Sequence, residues 1–415
     1  MNARCLSLSL GLMIGLLGTS AAGAGVFKPN RLFIANADTD NIGLFDNGTV
    51  AGAPLGGTID FPVGMRFGPD GLLYVTAFNS NEIYQIDSTG AVINSFGSSF
   101  IDSAGMLTFG ANGRLYVVSQ NNSKVIIFNT GGVKIGEFST AADMATPVGI
   151  AVGPAGHIYL SDWTSGVIDE YDPSGIHLRE FGSALGDPAG MTFGPDGRLY
   201  VTSQFNDSIK VLDAIGTEVG EIGAGTALNW PLTCVFGPDG NLWVSCQGTD
   251  EVLAYDLNGN LVNGIPAAAG LDHPTGLAFA PFHFKAKLSG RLGLAGQKLR
   301  LVKENVQLYI SPGAQRLMLE VDSLPTPALS DFGNQFYVLH GFESYQAFNS
   351  KKRLFSGTEQ YMFGFESGNT TVMVEVTGKL SNSGLYIPLS AKGTLQRHSS
   401  DGVLNAKLVT KKLIQ

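Results

Sequence analysis

The chain has 415 residues, 44% of them apolar and 15% charged, with a net charge of −9 and three cysteines. Acidity of this kind argues against nucleic acid as a partner, and three cysteines are too few for a disulfide-built scaffold. There is no phosphate loop, dinucleotide fingerprint or nucleophile elbow.

The first segment opens with Met1-Asn2-Ala3-Arg4, continues as a mostly apolar run over 5–17, and offers a small-x-small site at Ala22-Gly23-Ala24. That is the layout of a secretory signal peptide over residues 1–24, with Gly25 as the first mature residue. The run is too short for a spanning helix and no later segment approaches the needed length, so a secreted or periplasmic protein without a transmembrane span is expected.

From residue 31 onward a phrase recurs. It reads GMRFGPDGLLYV at 64–75, GMLTFGANGRLYV at 105–117, GIAVGPAGHIYL at 149–160, GMTFGPDGRLYV at 190–201, TCVFGPDGNLWV at 233–244 and GLAFAPFH at 276–283. Its anchors Phe67, Phe109, Val152, Phe193, Phe236 and Phe279 are spaced by 42, 43, 41, 43 and 43 residues. Each unit parses into four short strands: in the first full copy 63–67, 72–78, 82–87 and 91–96, with turns at Gly-Pro-Asp-Gly and from Asp87 to Gly90. A sheet with two apolar faces cannot hide both alone; copies stacked radially cover one another, which is the logic of a β-propeller. Residues 31–49 supply the last three strands of a unit and 274–281 a first strand, so the two ends complete one sheet and leave no open edge. The expected fold is all-β: a six-bladed β-propeller over 25–284 with a blade shared between its ends, then a C-terminal β-sandwich or barrel-like domain over 285–415.

The two segments differ in charge. Residues 25–284 hold 9 Lys/Arg against 26 Asp/Glu, and residues 285–415 hold 16 against 9. The basic residues read first as solvent faces of alternating strands such as RLMLEV (316–321) and TVMVEV (371–376), with contact to a cell surface as the alternative. Cys234 and Cys246 flank a Gly-Pro-Asp-Gly turn. Closing the hairpin on those four residues sets Cys234 opposite Trp243 and Cys246 on the other face, which favours buried thiols over a disulfide.

One rim of a propeller funnel is built by the loops entering the inner strands and those joining the second and third strands. The residue before each entry Pro-x-Gly is Phe61, Asp102, Thr146, Asp187, Trp230 and His273 in turn, Ser103 standing at the Pro position of the third copy. Four residues beyond the second-strand aromatic stand Ala37, Phe78, Gln120, Trp163, Gln204 and Gln247, and one place earlier in the fourth copy stands Asp162. Thr146 and Ala37 apart, these are the candidate ligand contacts, because they vary while the framework around them repeats. Amides, carboxylates and flat apolar faces together suit a polar ligand with apolar faces, such as a sugar chain or an extended peptide. His273 alone does not make a histidine metal cage, so no cofactor is expected; Asp102, Asp162, Asp187 and His273 are the set that would gather a divalent cation. Asp38-x-Asp40-x-x-Gly43 begins like a calcium loop, but its twelfth residue is Thr49 rather than Glu, and it reads as a strand connection.

With Pro-x-Gly entering the inner strand and Asp-Gly before an aromatic-Val pair, residues 31–281 resemble NHL repeats. That resemblance implies a six-bladed propeller serving as a binding platform, scaffold or lyase. The phrase GPDGNLWV is also similar to the repeats of the streptogramin lyases, although no Glu stands in the rings to match that family's His-and-Glu constellation. The leading expectation is an exported binding or scaffold module recognising a glycan, peptide or protein at the rim; the alternative is a metal-assisted lyase or hydrolase using the funnel acids.

Overall fold

The computed structural model describes residues 26–413 apart from 29, 57–58, 111–112, 154–155, 195, 238, 295–296, 312–315, 322–335, 343–347, 350–353, 366–367, 381–385 and 400–401, with side chains described as far as residue 281. The signal peptide expected over 1–24 lies outside the described residues. Among those described, no helix is long and apolar enough to cross a membrane.

The repeat builds six four-stranded antiparallel sheets. Blade two is Pro62–Phe67, Leu73–Ala77, Glu82–Ile86 and Val92–Phe96, from the axis outward. Blades three to six repeat it from the inner strands Ala104–Phe109, Pro147–Val152, Pro188–Phe193 and Pro231–Phe236. Blade one joins the two ends of the array: Pro274–Phe279 is its inner strand, followed by Leu32–Asn36, Asn41–Asp46 and the short Thr49–Val50. Leu32 pairs with Phe279 and Phe33 with Ala278, so the sixth sheet is completed across the chain ends. Each inner strand touches the next and the last touches the first, closing the ring. The protein is a six-bladed β-propeller with a shared blade, as the repeat predicts.

The repeated residues hold the seams between blades. The second-strand aromatic of one blade meets the anchor of the next edge to face: Phe33–Phe67 at 5.5 Å, Tyr74–Phe109 at 4.9 Å, Tyr159–Phe193 at 5.1 Å, Tyr200–Phe236 at 5.0 Å and Trp243–Phe279 at 5.8 Å between ring centroids. Such a pair contributes about 0.5–1.5 kcal/mol beyond the area it buries. The seam between blades three and four has Val152 in the anchor position. Closer to the axis the strands nearly touch. A Cβ on Gly190 would stand 2.5 Å from the Leu232 carbonyl oxygen, and one on Gly276 would stand 2.5 Å from that of Val63, so only glycine permits this approach.

Two sequence expectations shift by one residue. In the Gly-Pro-Asp-Gly hairpins, the Gly237 N–H bonds the Asn241 carbonyl at 2.8 Å while Gly240 takes φ 79°. Phe236 therefore pairs with Leu242, and Cys234 faces Val244 rather than Trp243. Both cysteines are free and buried, and burial pushes each thiol up to about 12. In blade three Ala104 pairs with Ser119 as Pro62 pairs with Ala77. Ala104 thus holds the Pro position and Met106 the glycine position, whereas the local Gly105-Met106 likeness to Gly64-Met65 suggests otherwise.

Beyond the propeller, the strands from Phe282–Leu294 to Gly402–Leu413 form a nine-stranded antiparallel sheet. Its first long strand pairs with its last through Phe284↔Leu413, and Phe336–Phe342 pairs with Leu354–Phe365 through Gly341↔Tyr361. These two pairings close the sheet on itself.

Candidate ligand-binding rim

The two rings of rim residues are tied together pair by pair. The N–H of Phe78 bonds the carbonyl of Phe61 at 2.9 Å, Gln120 that of Ser103 at 3.0 Å, and Trp163 that of Thr146 at 3.0 Å. Gln204 bonds Asp187 at 3.3 Å, Gln247 bonds Trp230 at 3.1 Å, and Ala37 bonds His273 at 3.1 Å. The entry residue of blade three is therefore Ser103, and Asp102 stands one place outside the ring. The Asp102 carboxylate accepts from the Asn121 side chain at 3.2 Å.

Five of the six entry residues have left-handed backbones: Phe61 (φ 55°), Ser103 (57°), Asp187 (51°), Trp230 (50°) and His273 (51°). For aromatic residues this conformation is strained, by about 1–3 kcal/mol, and it persists only where the surroundings fix it. Thr146, whose branched Cβ makes the conformation worst, does not adopt it. Four of the five are fixed by a clamp from the preceding blade. The Oδ1 atoms of Asp40, Asn81, Asp207 and Asp250 accept the N–H groups of Phe61, Ser103, Trp230 and His273 at 2.7–2.8 Å. Residues 40, 81, 123, 166, 207 and 250 hold equivalent hairpin turns, all at positive φ. Asp40 of the calcium-like phrase is one such clamp. Its recurrence at steps of 41 to 43 residues is the signal that reading the phrase in isolation misses.

Side chains then gather into two arcs. The indole N–H of Trp163 donates to Gln204 Oε1 at 2.8 Å, and the Gln204 amide donates to Gln247 Oε1 at 3.4 Å, linking blades four, five and six. On blades one and two the Phe61 ring lies 5.9 Å from Phe78 and 6.2 Å from His273. Trp230 is 53% exposed and Trp163 38%. Phe205, next to Gln204 and 77% exposed, joins the rim although its ring of equivalents (Asp38, Asn79, Asn121, Thr164, Gly248) is otherwise polar or glycine.

Asp162 does not belong to this surface. It is fully buried, and its carboxylate accepts the backbone N–H groups of Ala145 at 2.6 Å, Thr164 at 2.9 Å and Thr146 and Ser165 at 3.2 Å. Burial pushes its carboxyl up, but those N–H groups outweigh burial and hold it below the ordinary carboxylate range. The loop before blade four folds over it, which sequence position alone does not reveal. Asp102, Asp187 and His273 stand on different blades, and among the described residues no three His, Cys, Asp or Glu side chains gather as a metal-holding group.

Met106 of blade three meets Thr233 of the opposite blade six, Sδ to Oγ1 at 4.0 Å, and both are buried. Met106 fills space that the glycines of the same ring leave free.

The chain matches no protein-family model and no curated protein. Solved structures share its fold. It is similar to a chain of a nidogen–laminin complex, at 18% identity and a TM-score of 0.51, over 60% of this chain and 98% of that one. A protein of unknown function from Bacteroides caccae is similar at 12% identity and a TM-score of 0.50, with the same shares covered. Virginiamycin B lyase from Staphylococcus aureus is similar at 15% identity and a TM-score of 0.45, over 91% of this chain and 98% of that one. At these identities the likeness is one of fold.

Proposed function

We propose that this chain is an exported propeller that binds a glycan, peptide or protein partner on the funnel rim. The observation that carries the reading is the convergence of Trp163, Gln204 and Gln247 into one hydrogen-bonded arc. On the same rim, Phe61 and Trp230 are held in strained backbone conformations and half-exposed. Strain and exposed aromatic area at one rim are costs that a ligand-contacting surface accounts for. The amide chain fixes the Trp163 ring, so a ligand stacking on it meets a pre-oriented face. Pre-orientation reduces the entropy lost on binding. The nidogen–laminin complex, a protein-bound structure of the same fold, is in keeping with a protein partner.

The test is intrinsic fluorescence of the full chain titrated against a panel of glycans and peptides. Trp163 and Trp230 should respond, and Trp243, buried in blade six, should not. Replacing both rim tryptophans with Ala should abolish binding while the fold persists, each ring contributing about 1 kcal/mol beyond its buried area. A double variant that binds as the parent does would sink the proposal.

A further inference from the structure

The exposed rings of the rim stand in a field of one sign. Trp163, Phe205 and Trp230 are 38%, 77% and 53% exposed, on blades four to six. The loops around them carry carboxylates and no cations. The six loops that join second and third strands contain four aspartates, and the six that enter the inner strands contain five. Neither set contains a lysine or an arginine. All nine aspartates are exposed or half-buried, and among the described residues none pairs with a lysine or arginine. Lys124, which follows one of these loops, is held by Glu137 at 2.8 Å, and Lys210 by Glu218 and Glu221. Arg114 and Arg198 stand in turns at the opposite mouth. Carboxylates also sit beside individual rings. Asp207 accepts the Trp230 N–H on Oδ1 at 2.7 Å and follows Phe205 by two places. Asp40 holds Phe61 in the same way, and Asp60 precedes that ring in the chain.

An aromatic face attracts a cation through its quadrupole, and a carboxylate beside the ring attracts the same cation by its charge. A neutral sugar would gain from the rings and leave the carboxylates unmatched, and an acidic partner would be repelled. We propose that the rim recognises a partner protein through an extended segment bearing lysine or arginine. The cationic heads lie over Trp163, Trp230 or Phe205 and against the aspartates of the same loops. The inference rests on the rim reading given above and selects one class among its ligands. A field of one sign over one face also steers a cationic partner to that face, and the effect weakens as salt screens it.

The experiment follows the tryptophan fluorescence of the full chain during four titrations. The probes are an extended Gly-Lys-Ser repeat peptide, the same peptide with its lysines acetylated, a Gly-Glu-Ser repeat and a neutral oligosaccharide. The lysine peptide should bind at least about tenfold more tightly than its acetylated form, which has lost the charge and the cation–π donor. Raising sodium chloride from about 0.05 M to about 0.5 M should weaken the lysine peptide by at least about tenfold. Asp38→Asn, Asp102→Asn and Asp187→Asn made together keep side-chain size, and Asn tolerates the left-handed backbone at position 187. That variant should weaken the lysine peptide by about tenfold and leave the acetylated peptide unchanged. If the acetylated peptide, the glutamate repeat or the oligosaccharide binds as tightly as the lysine peptide, the inference falls and the rim reading stands. Tryptophans silent to every probe overturn both. If the triple variant does not fold, binding by the parent that is insensitive to salt overturns the inference instead.

Discussion

The left-handed rim backbone makes a prediction with its own internal control. Trp230 has φ 50°, a conformation that costs an L-residue about 1–2 kcal/mol and costs glycine nothing. Its side chain is half-exposed, so removing it forfeits little burial. Trp230→Gly should therefore be more stable than Trp230→Ala by about 1 kcal/mol or more, the reverse of the usual order. Thr146 occupies the equivalent place in blade four without a positive φ. There the usual order holds, and Thr146→Gly should be less stable than Thr146→Ala by about 0.5–1 kcal/mol. The measurement is urea unfolding followed by far-ultraviolet circular dichroism, which does not depend on the tryptophan removed. Equal stability of the Gly and Ala variants at position 230, or the same order at both positions, would show that the rim is not strained as described.

Asp169 offers a pH test. It is fully buried, its Oδ1 lies 2.6 Å from His177 Nε2, and its Oδ2 has no partner. Burial pushes its carboxyl up to about 6, against the opposing pull of His177. The sign follows from a folded-state pKa above the unfolded one. Stability from this group is fully present below the unfolded pKa of roughly 4 and is lost as pH rises through about 6. Asp169→Asn should flatten the urea midpoint between pH 4 and 7 and gain at most about 3 kcal/mol at neutral pH; an unchanged pH slope refutes this. Deleting residues 25–49 should lower the melting temperature of the whole propeller, because Pro274–Phe279 loses the Leu32–Asn36 strand it pairs with. A deletion that melts with the parent would mean that blade one is not shared.

The fold was legible because each seam makes the same demand on every copy. An aromatic on the second strand must meet an anchor on the next blade, so Tyr74 and Phe109 recur as Tyr200 and Phe236, and the period follows from packing. Register within a copy was less legible. Gly105-Met106 looks like Gly64-Met65, but pairing with the second strand sets Met106 in the glycine ring, where it meets Thr233 across the axis. Local likeness cannot detect a one-residue shift that only cross-strand hydrogen bonds define. Asp162 shows a second limit. The repeat places it beside the rim ring, but four N–H groups, two from the loop before its blade and two from the turn that follows it, make this candidate ligand contact an internal anchor. The carboxylate's surroundings, rather than its place in the repeat, decided its role.

The clamps explain why positions could be predicted where side-chain roles could not. The Asn81 amide holds Ser103 in the same geometry in which the Asp207 carboxylate holds Trp230. The bond is made to the backbone N–H, so it is indifferent to the side chain that the clamped residue carries. The scaffold thus fixes where each rim Cβ stands and leaves its chemistry free to differ between Phe61, Ser103, Trp230 and His273. A repeat protein needs this separation to build one asymmetric surface from six copies of one blade. It also accounts for the strain: an aromatic at Phe61 or Trp230 is tolerated because its backbone is held at both its N–H and its carbonyl. The left-handed conformation is therefore imposed by neighbouring loops, against the preference of the residue itself, and the identities of Phe61 and Trp230 gave no sign of it.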